Sequence, residues 1–340
     1  MAQRIGALQR LPYVRTASEI QEMKFWRAPV SESNRIADPI KRAKNHTSRC
    51  INMLLGKLSE ITRQVSLSFP VLNRLHPFER EVVLLTLGQG VFENHILCLR
   101  KAYAALHNTG KRYERECQNL RTKQEAVDCG LRCVKELRTI VDDNAETLRK
   151  VADMTKLLRG LPHIDLEKPI FAFVGAPNVG KSSLVGAMST ASPRVSNYPF
   201  TTRGISVGHI FVEGVSYQIA DTPGLIYRPD ESRNTIEQLA IAIMEKTHAS
   251  IGFVFDPTGS SGSTTADQFL LRNELRHRVT EARPYHNWID IVSKSDQPSN
   301  DLALLQYCLG TKYLVSTQTN EGLMDLGDRI REVLTESVGT

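Results

Sequence analysis

Long apolar runs are missing from this chain of 340 residues: none approaches the ~20 apolar residues of a membrane-spanning helix, so no helical span is expected. Cysteine is scarce. Six residues without the paired spacing of a disulfide framework predict free thiols and a reducing compartment. Cys129 and Cys133 lie one helical turn apart with no second ligand pair, which leaves ordinary helix packing and a metal site as the two readings. Aromatic residues are 6% of the chain and no motif for stacking single-stranded bases is visible, so sequence-specific RNA reading is not expected. Internal repeats and low-complexity segments are absent. Proline is missing between Pro77 and Pro162, which frees that stretch to form long helices.

What the chain does have is a phosphate-binding loop in the right surroundings. Gly175-Ala176-Pro177-Asn178-Val179-Gly180-Lys181-Ser182 follows the apolar run Ile170–Val174, read as a buried parallel strand. It precedes Ser183–Met188, read as the opening of a helix. The glycines let backbone amides approach a phosphate chain, and the helix N-terminus adds partial positive charge. Asn178, Val179, Gly180, Lys181, Ser182 and Ser183 are therefore candidate nucleotide contacts. Lys181 is expected to reach the β- and γ-phosphates and the Ser182 hydroxyl to ligate Mg²⁺. About forty residues on, Asp221-Thr222-Pro223-Gly224 follows the strand-like Tyr217–Ala220. An Asp there holds Mg²⁺ through water and the Gly224 amide senses the γ-phosphate. Between them, the turn-rich Asn197–Gly204 is placed to supply a Thr to Mg²⁺ only while the γ-phosphate is present. Three such motifs in order predict a switch GTPase.

Guanine preference rests on Ser293-Lys294-Ser295-Asp296 after the apolar run Trp288–Val292. GTPases usually have Asn-Lys-x-Asp here. Asp296 is expected to accept two hydrogen bonds from guanine and the Lys294 stem to pack on the base, while Ser293 keeps part of the bonding that braces the loop. Losing one such bond costs ~1 kcal/mol, which weakens affinity more than it changes base preference. Ser316 and Thr317, after the strand-like Lys312–Leu314, complete the expected base contacts.

The remaining sequence predicts two domains: an all-α helical bundle over residues 1–160 and an α/β Ras-like P-loop domain with a doubly wound, mostly parallel sheet over 161–340. Val134, Leu137, Val141, Leu148, Val151, Met154 and Leu158 form one helical stripe. A second helix is expected from near Phe78 into the nineties, and a third from Asp38 to Gln64. Asn108-Thr109-Gly110 is either a turn or a tolerated interruption. Charge divides in the same way: residues 1–160 carry 28 Lys and Arg against 17 Asp and Glu, the remainder 15 against 20. The helices are thus expected to meet the polyanion, with Lys41, Arg42, Lys44, Arg49, Lys111, Arg112, Arg115, Arg121 and Lys123 as candidate RNA phosphate contacts.

Tyr198-Pro199-Phe200-Thr201-Thr202 and Asp221-Thr222-Pro223-Gly224-Leu225-Ile226 resemble the Obg-related GTPases. More narrowly, Leu161-Pro162-His163-Ile164-Asp165, Arg233-Asn234-Thr235-Ile236-Glu237, Leu75-His76-Pro77-Phe78 and Leu85-Thr86-Leu87-Gly88-Gln89 resemble the nucleolar GTP-binding protein 1 family. The likeness runs from about Leu11 to the end. It implies a GTP/GDP-binding Ras-like domain behind a helical one, and work on the large ribosomal subunit, with large-subunit rRNA and ribosomal or assembly-factor proteins as partners. No obligate homo-oligomer is indicated. Departures are Ser293, the altered last loop and the lack of the long C-terminal extension of nucleolar members.

In that setting Mg²⁺ is expected on Ser182 and one of Thr201 or Thr202, with Thr202 favoured, and Asp221 behind a water. Leu225 stands where Ras-like enzymes orient water with Gln, so intrinsic hydrolysis is expected at ~10⁻⁴ s⁻¹ or below. Asn178 matches the loop Asn that helps hold K⁺ in related GTPases, the alternative being a simple loop brace. Asn178, Lys181, Thr202 and Gly224 are the expected catalytic set. The leading functional expectation is a GTPase switch in large-subunit assembly; the alternative is a non-hydrolysing or very slow scaffold on the preribosome. Arg4, Arg10 and Arg15 without an acidic residue before Glu19, the compact length and the drifted base motif give a mitochondrial location as the expectation, with nucleus or nucleolus as the alternative.

Overall fold

A computed structural model describes residues 6–27, 37–161, 164–189, 194–196, 205–212, 215–284 and 286–336. Two compact units emerge. One comprises Ala7–Arg74 and Leu87–Gly160; the other takes Leu75–Thr86 together with Leu161–Thr340. The segment Leu75–Thr86 therefore groups with the nucleotide-loop unit, which a single division at residue 160 does not anticipate.

In the first unit, α1 (Ala17–Gln21) and α2 (Pro39–Ser59) precede a π-turn at Glu60–Gln64 and the short α3 (Val65–Leu67). Asp38 caps α2 by accepting from the amides of Ile40 and Lys41. In the second unit α4 spans Pro77–Leu87. The first unit then resumes with α5 (Val91–Gln118), α6 (Lys123–Asp143) and α7 (Ala145–Arg159).

The sequence pattern misplaced two boundaries. The single helix expected from Phe78 onward is broken at Gly88 and Gly90, both at positive φ. The stripe from Val134 to Leu158 belongs to two helices parted at Asn144, whose backbone leaves helical geometry. Apolar spacing survives such a break because the helices on both sides bury the same core. The open question at Asn108–Gly110 is settled: Gly110 lies inside α5, where a Cβ would sit 2.2 Å from Leu55 Cδ2, so glycine lets α2 pack against α5. Leu54, Leu58, Leu99, Leu106, Leu137 and Leu158 fill the core. Cys117, Cys129 and Cys133 are free thiols buried in it. Burial pushes Cys129 up to about 11 and Cys133 to about 12. No metal-ligand cluster occurs among the described residues, so helix packing accounts for the pair. Among the described residues, no single helix is long and apolar enough to cross a membrane.

The second unit is built on β1 (Ile170–Val174), whose five residues are all buried, as a strand covered on both faces must be. It continues through α8 (Lys181–Met188), β2 (Arg194–Ser196), β3 (Ile205–Val212), β4 (Val215–Asp221), α9 (Thr235–Lys246), β5 (Ala249–Phe255), α10 (Thr265–Ala282), β6 (Trp288–Val292), α11 (Leu302–Leu309) and α12 (Leu323–Glu336). Strand order is β2-β3-β4-β1-β5-β6. β1 pairs in parallel with β4 and β5, and β5 with β6, while β2–β3 and β3–β4 are antiparallel. The strand expected at Lys312–Leu314 is only an isolated bridge from Leu314 to Val292. Phe171, Phe173, Ile219, Val254 and Ile291 of the sheet pack with Leu184, Val185, Ile330 and Val333 of the helices. The C-terminal ends of β1, β4, β5 and β6 thus come together at one edge of this core, where ligands bind in open α/β sheets.

Candidate guanine-nucleotide site

The loop after β1 is set by its own hydrogen bonds. Lys181, 6% exposed, donates from Nζ to the carbonyls of Gly175 at 3.1 Å and Ala176 at 2.6 Å. Burial pushes its ammonium down to about 8, partly opposed by Asp221. A buried cation satisfied only by neutral carbonyls is costly unless an anion joins it. Asn178, exposed and at φ 60°, and Gly180, the residue before α8, hold the loop open around the first turn of that helix. Val179 is buried beneath it, whereas Ser182 and Ser183 stand exposed at the helix start.

Ser182 Oγ donates to Asp221 Oδ2 at 2.6 Å, so the two expected metal-side groups meet. The other carboxylate oxygen, Asp221 Oδ1, is buried without a hydrogen-bond partner. Burial raises the Asp221 pKa, with the Ser182 bond and Lys181 pulling the other way. Together the orphaned carboxylate oxygen, the buried ammonium and the open amide loop match what a nucleotide phosphate chain with a divalent cation requires. Thr222 Oγ1 bonds the Phe173 carbonyl at 2.8 Å, locking the strand end beside β1. At Gly224 a Cβ would lie 2.6 Å from Pro177 Cα, so glycine alone permits the Asp221–Gly224 segment to touch the phosphate loop. Leu225 is fully buried and its amide donates to the Gly175 carbonyl at 3.0 Å. Thr201 and Thr202 lie outside the described residues.

The exit from this segment explains why Arg233–Glu237 reads as a motif. Asn234 caps α9 by accepting from the Glu237 amide at 2.9 Å. The buried Glu237 carboxylate accepts in return from the amides of Asn234 and Ile226 and pairs with Arg228.

On the base side, Ser293 Oγ lies 2.6 Å from the Val179 carbonyl and 2.9 Å from the Phe255 carbonyl, its single proton going to one of them at a time. The hydroxyl thus ties the base loop to the phosphate loop. Lys294, at φ 53°, donates from Nζ to the Asn178 carbonyl at 3.0 Å, Asp256 Oδ2 at 2.7 Å and Ser260 Oγ at 2.7 Å. Asp256 is fully buried. Although burial alone would raise its pKa, hydrogen bonds from Lys294 and Thr258 hold it below the ordinary carboxylate value. Asp296 is exposed beyond this anchor. The Ser295 amide donates to the Val315 carbonyl at 3.2 Å, joining the two base loops. In the second loop, buried Ser316 accepts from the amides of Gln318 and Thr319, and Thr317 is half-buried. Asp256 is the residue that sequence reasoning missed. Its signal was an acidic residue directly ending the apolar run Ile251–Phe255.

A family model described as "50S ribosome-binding GTPase" matches residues 170–286, and one described as "NOG1 N-terminal helical domain" matches residues 8–165. Nucleolar GTP-binding protein 1 of Caenorhabditis elegans is 29% identical over 306 residues, covering 85% of this chain and 43% of the relative. That of Encephalitozoon cuniculi is 29% identical over 272 residues, covering 76% and 49%. A crystal structure described as nucleolar GTP-binding protein 1 of Plasmodium falciparum shares 30% identity over 53% of this chain and 92% of its own, with a TM-score of 0.39. The chain spans about half the length of the curated relatives it matches. These relatives are named for the nucleolus, which overturns the mitochondrial expectation: arginines near Met1 and a compact length are weak signals beside a likeness spanning both units. A helical N-terminal domain followed by a P-loop GTPase domain, matched along both parts, makes this chain a member of the nucleolar GTP-binding protein 1 family.

Proposed function

We propose that this protein is a GTP-dependent switch in assembly of the large ribosomal subunit, working in the nucleolus and docking on rRNA through its basic helical unit. The observation that carries the nucleotide part is Lys181, a buried ammonium with only carbonyl partners at the mouth of an open amide loop. The family description of a 50S ribosome-binding GTPase supports the ribosomal part, and the positive charge of residues 1–160 supports RNA as the partner.

The residues divide the work as follows. Lys181 neutralises phosphate oxygen, and the amides from Asn178 to Ser183 line the phosphate chain. Ser182 and Thr202 would hold Mg²⁺, with Asp221 beside Ser182; the ion would supply charge neutralisation of the phosphate chain. Gly224 senses the γ-phosphate. Asp296 selects guanine, Lys294 packs along the base, and Ser316 and Thr317 close its far side. K⁺ beside Asn178 is a further proposed cofactor. Hydrolysis is slow because Leu225, buried in the core, orients no water. That same burial favours the second reading, a GTP-binding scaffold with negligible turnover.

The test is to hold the tagged protein with a non-hydrolysable GTP analogue in its native cells and sequence UV-crosslinked RNA. Enrichment of large-subunit rRNA precursor over a Lys181→Ala control is the expected result. Absence of that enrichment removes the proposal.

A further inference from the structure

One end of the helical unit carries a group of cations that form no ion pair among the described residues, although other exposed cations of the unit, such as Arg63, Arg100 and Lys101, are unpaired as well. Asn52 Nδ2 reaches Glu114 and Gln118 Nε2 reaches Ser48 Oγ, so α2 and α5 run antiparallel. Arg112 pairs with Glu136 and Arg132 with Glu116, which makes α6 antiparallel to α5 in turn. Thr47 Oγ1 donating to the Ala126 carbonyl joins α2 to α6. The N-terminal ends of α2 and α6 therefore meet the C-terminal end of α5.

The described carboxylates at this end have partners, although for two of them these are neutral backbone amides that leave the charge in place. Asp38 accepts from the amides of Ile40 and Lys41, and Glu125 from those of Arg121 and Thr122. Glu116 is held by Arg132. The cations are not so occupied. Lys41, Arg115, Arg121 and Lys123 are exposed and form no ion pair among the described residues. Lys44 donates to the Gln118 carbonyl at 2.9 Å, a neutral partner that leaves its charge uncancelled. By contrast Lys111 and Arg112, expected as phosphate contacts from the sequence, are paired with Glu114 and Glu136.

We infer that this end of the bundle, formed by Lys41, Lys44, Arg115, Arg121 and Lys123, is the surface that grips the sugar–phosphate backbone of double-helical RNA. The inference rests on the proposed RNA docking and gives it a location. Packed helices hold neighbouring axes ~8–10 Å apart, so the charges form a rigid array suited to repeating phosphates. Among the described residues, no exposed aromatic side chain stands at this end to stack an unpaired base. The surface therefore reads phosphate position and not sequence.

Binding of the full chain to a mixed-sequence 20-base-pair RNA duplex, followed by fluorescence anisotropy over a range of KCl concentrations, tests this. The combined Lys41→Ala, Arg121→Ala and Lys123→Ala variant should bind at least about tenfold more weakly, with a salt slope shallower by roughly 2–3. An Arg149→Ala, Lys150→Ala control, which removes two ion-paired charges of α7, should stay within about twofold of wild type. GDP binding and helical circular dichroism verify that each variant is folded. Equal losses in both variants, no loss in the first, or tighter binding of poly-glutamate than of the duplex would overturn the surface while leaving wild-type RNA binding intact. A wild-type chain that binds no RNA duplex overturns the docking proposal as well.

Discussion

The two units use charge in opposite ways. At the candidate site of the nucleotide unit, three ionic groups are buried and have named partners: Lys181 on two carbonyls, Asp221 on Ser182, Asp256 on Lys294 and Thr258. In the helical unit the core is apolar and the charges stay on the surface, many in exposed pairs such as Arg112–Glu136. Buried ions are costly and persist where geometry or a ligand compensates them; exposed pairs contribute little. Single charge substitutions should consequently be decisive at the buried groups of the nucleotide unit and nearly silent in the helical unit.

The largest contrast is expected at Lys181. Lys181→Ala removes the cation that meets the phosphates, and GDP affinity measured by calorimetry should fall by about a hundredfold, the equivalent of ~3 kcal/mol. Next comes Asp256. Asp256→Ala leaves Lys294 without its carboxylate and should lower unfolding free energy by ~3 kcal/mol in denaturant titration. Arg112→Ala, which breaks an exposed pair of the helical unit, should leave the unfolding midpoint unchanged within error; equal effects would dissolve the comparison.

A pH titration sharpens it. With its pKa lowered to about 8, Lys181 is charged at neutral pH and loses its proton as pH rises through that value. A phosphate favours the charged form, so nucleotide binding above pH 8 takes up a proton. GDP affinity should fall up to about tenfold per pH unit there, and the duplex-RNA affinity of the helical unit should not share that step. A flat GDP profile from pH 7 to 9.5 would show that Lys181 is not the responsible group. Ser293→Ala removes the hydroxyl from the Val179 and Phe255 carbonyls and should cost ~1 kcal/mol, roughly fivefold in guanine-nucleotide affinity. The smallest effect concerns hydrolysis: K⁺ should exceed Na⁺ in supporting turnover, and Asn178→Ala should abolish the difference. Equal rates in the two salts would leave Asn178 as a loop brace.

What was legible in the sequence follows the same division. The phosphate loop, Asp221–Gly224 and Lys294–Asp296 could be located because each needs fixed residue types at fixed spacing on strand ends. Asp256 escaped, since its partner Lys294 lies 38 residues away and only the parallel pairing of β5 with β6 unites them. In the helical unit the apolar stripes revealed helices but not their ends. Asn144 interrupts the stripe without changing its face, and the break at Gly88–Gly90 carries no proline. Which cations are free was equally hidden, because it depends on helix register: Arg112 meets Glu136 only once α5 and α6 pair.

In the proposed function, nucleotide state in one unit governs attachment through the other. Sucrose-gradient sedimentation of the tagged protein from its native cells, with a non-hydrolysable GTP analogue or with GDP, tests it most directly. Co-sedimentation with large-subunit precursors is expected under the analogue and release under GDP, with Lys181→Ala absent from the precursor fractions in both. An identical distribution of wild type and Lys181→Ala under either nucleotide would contradict it.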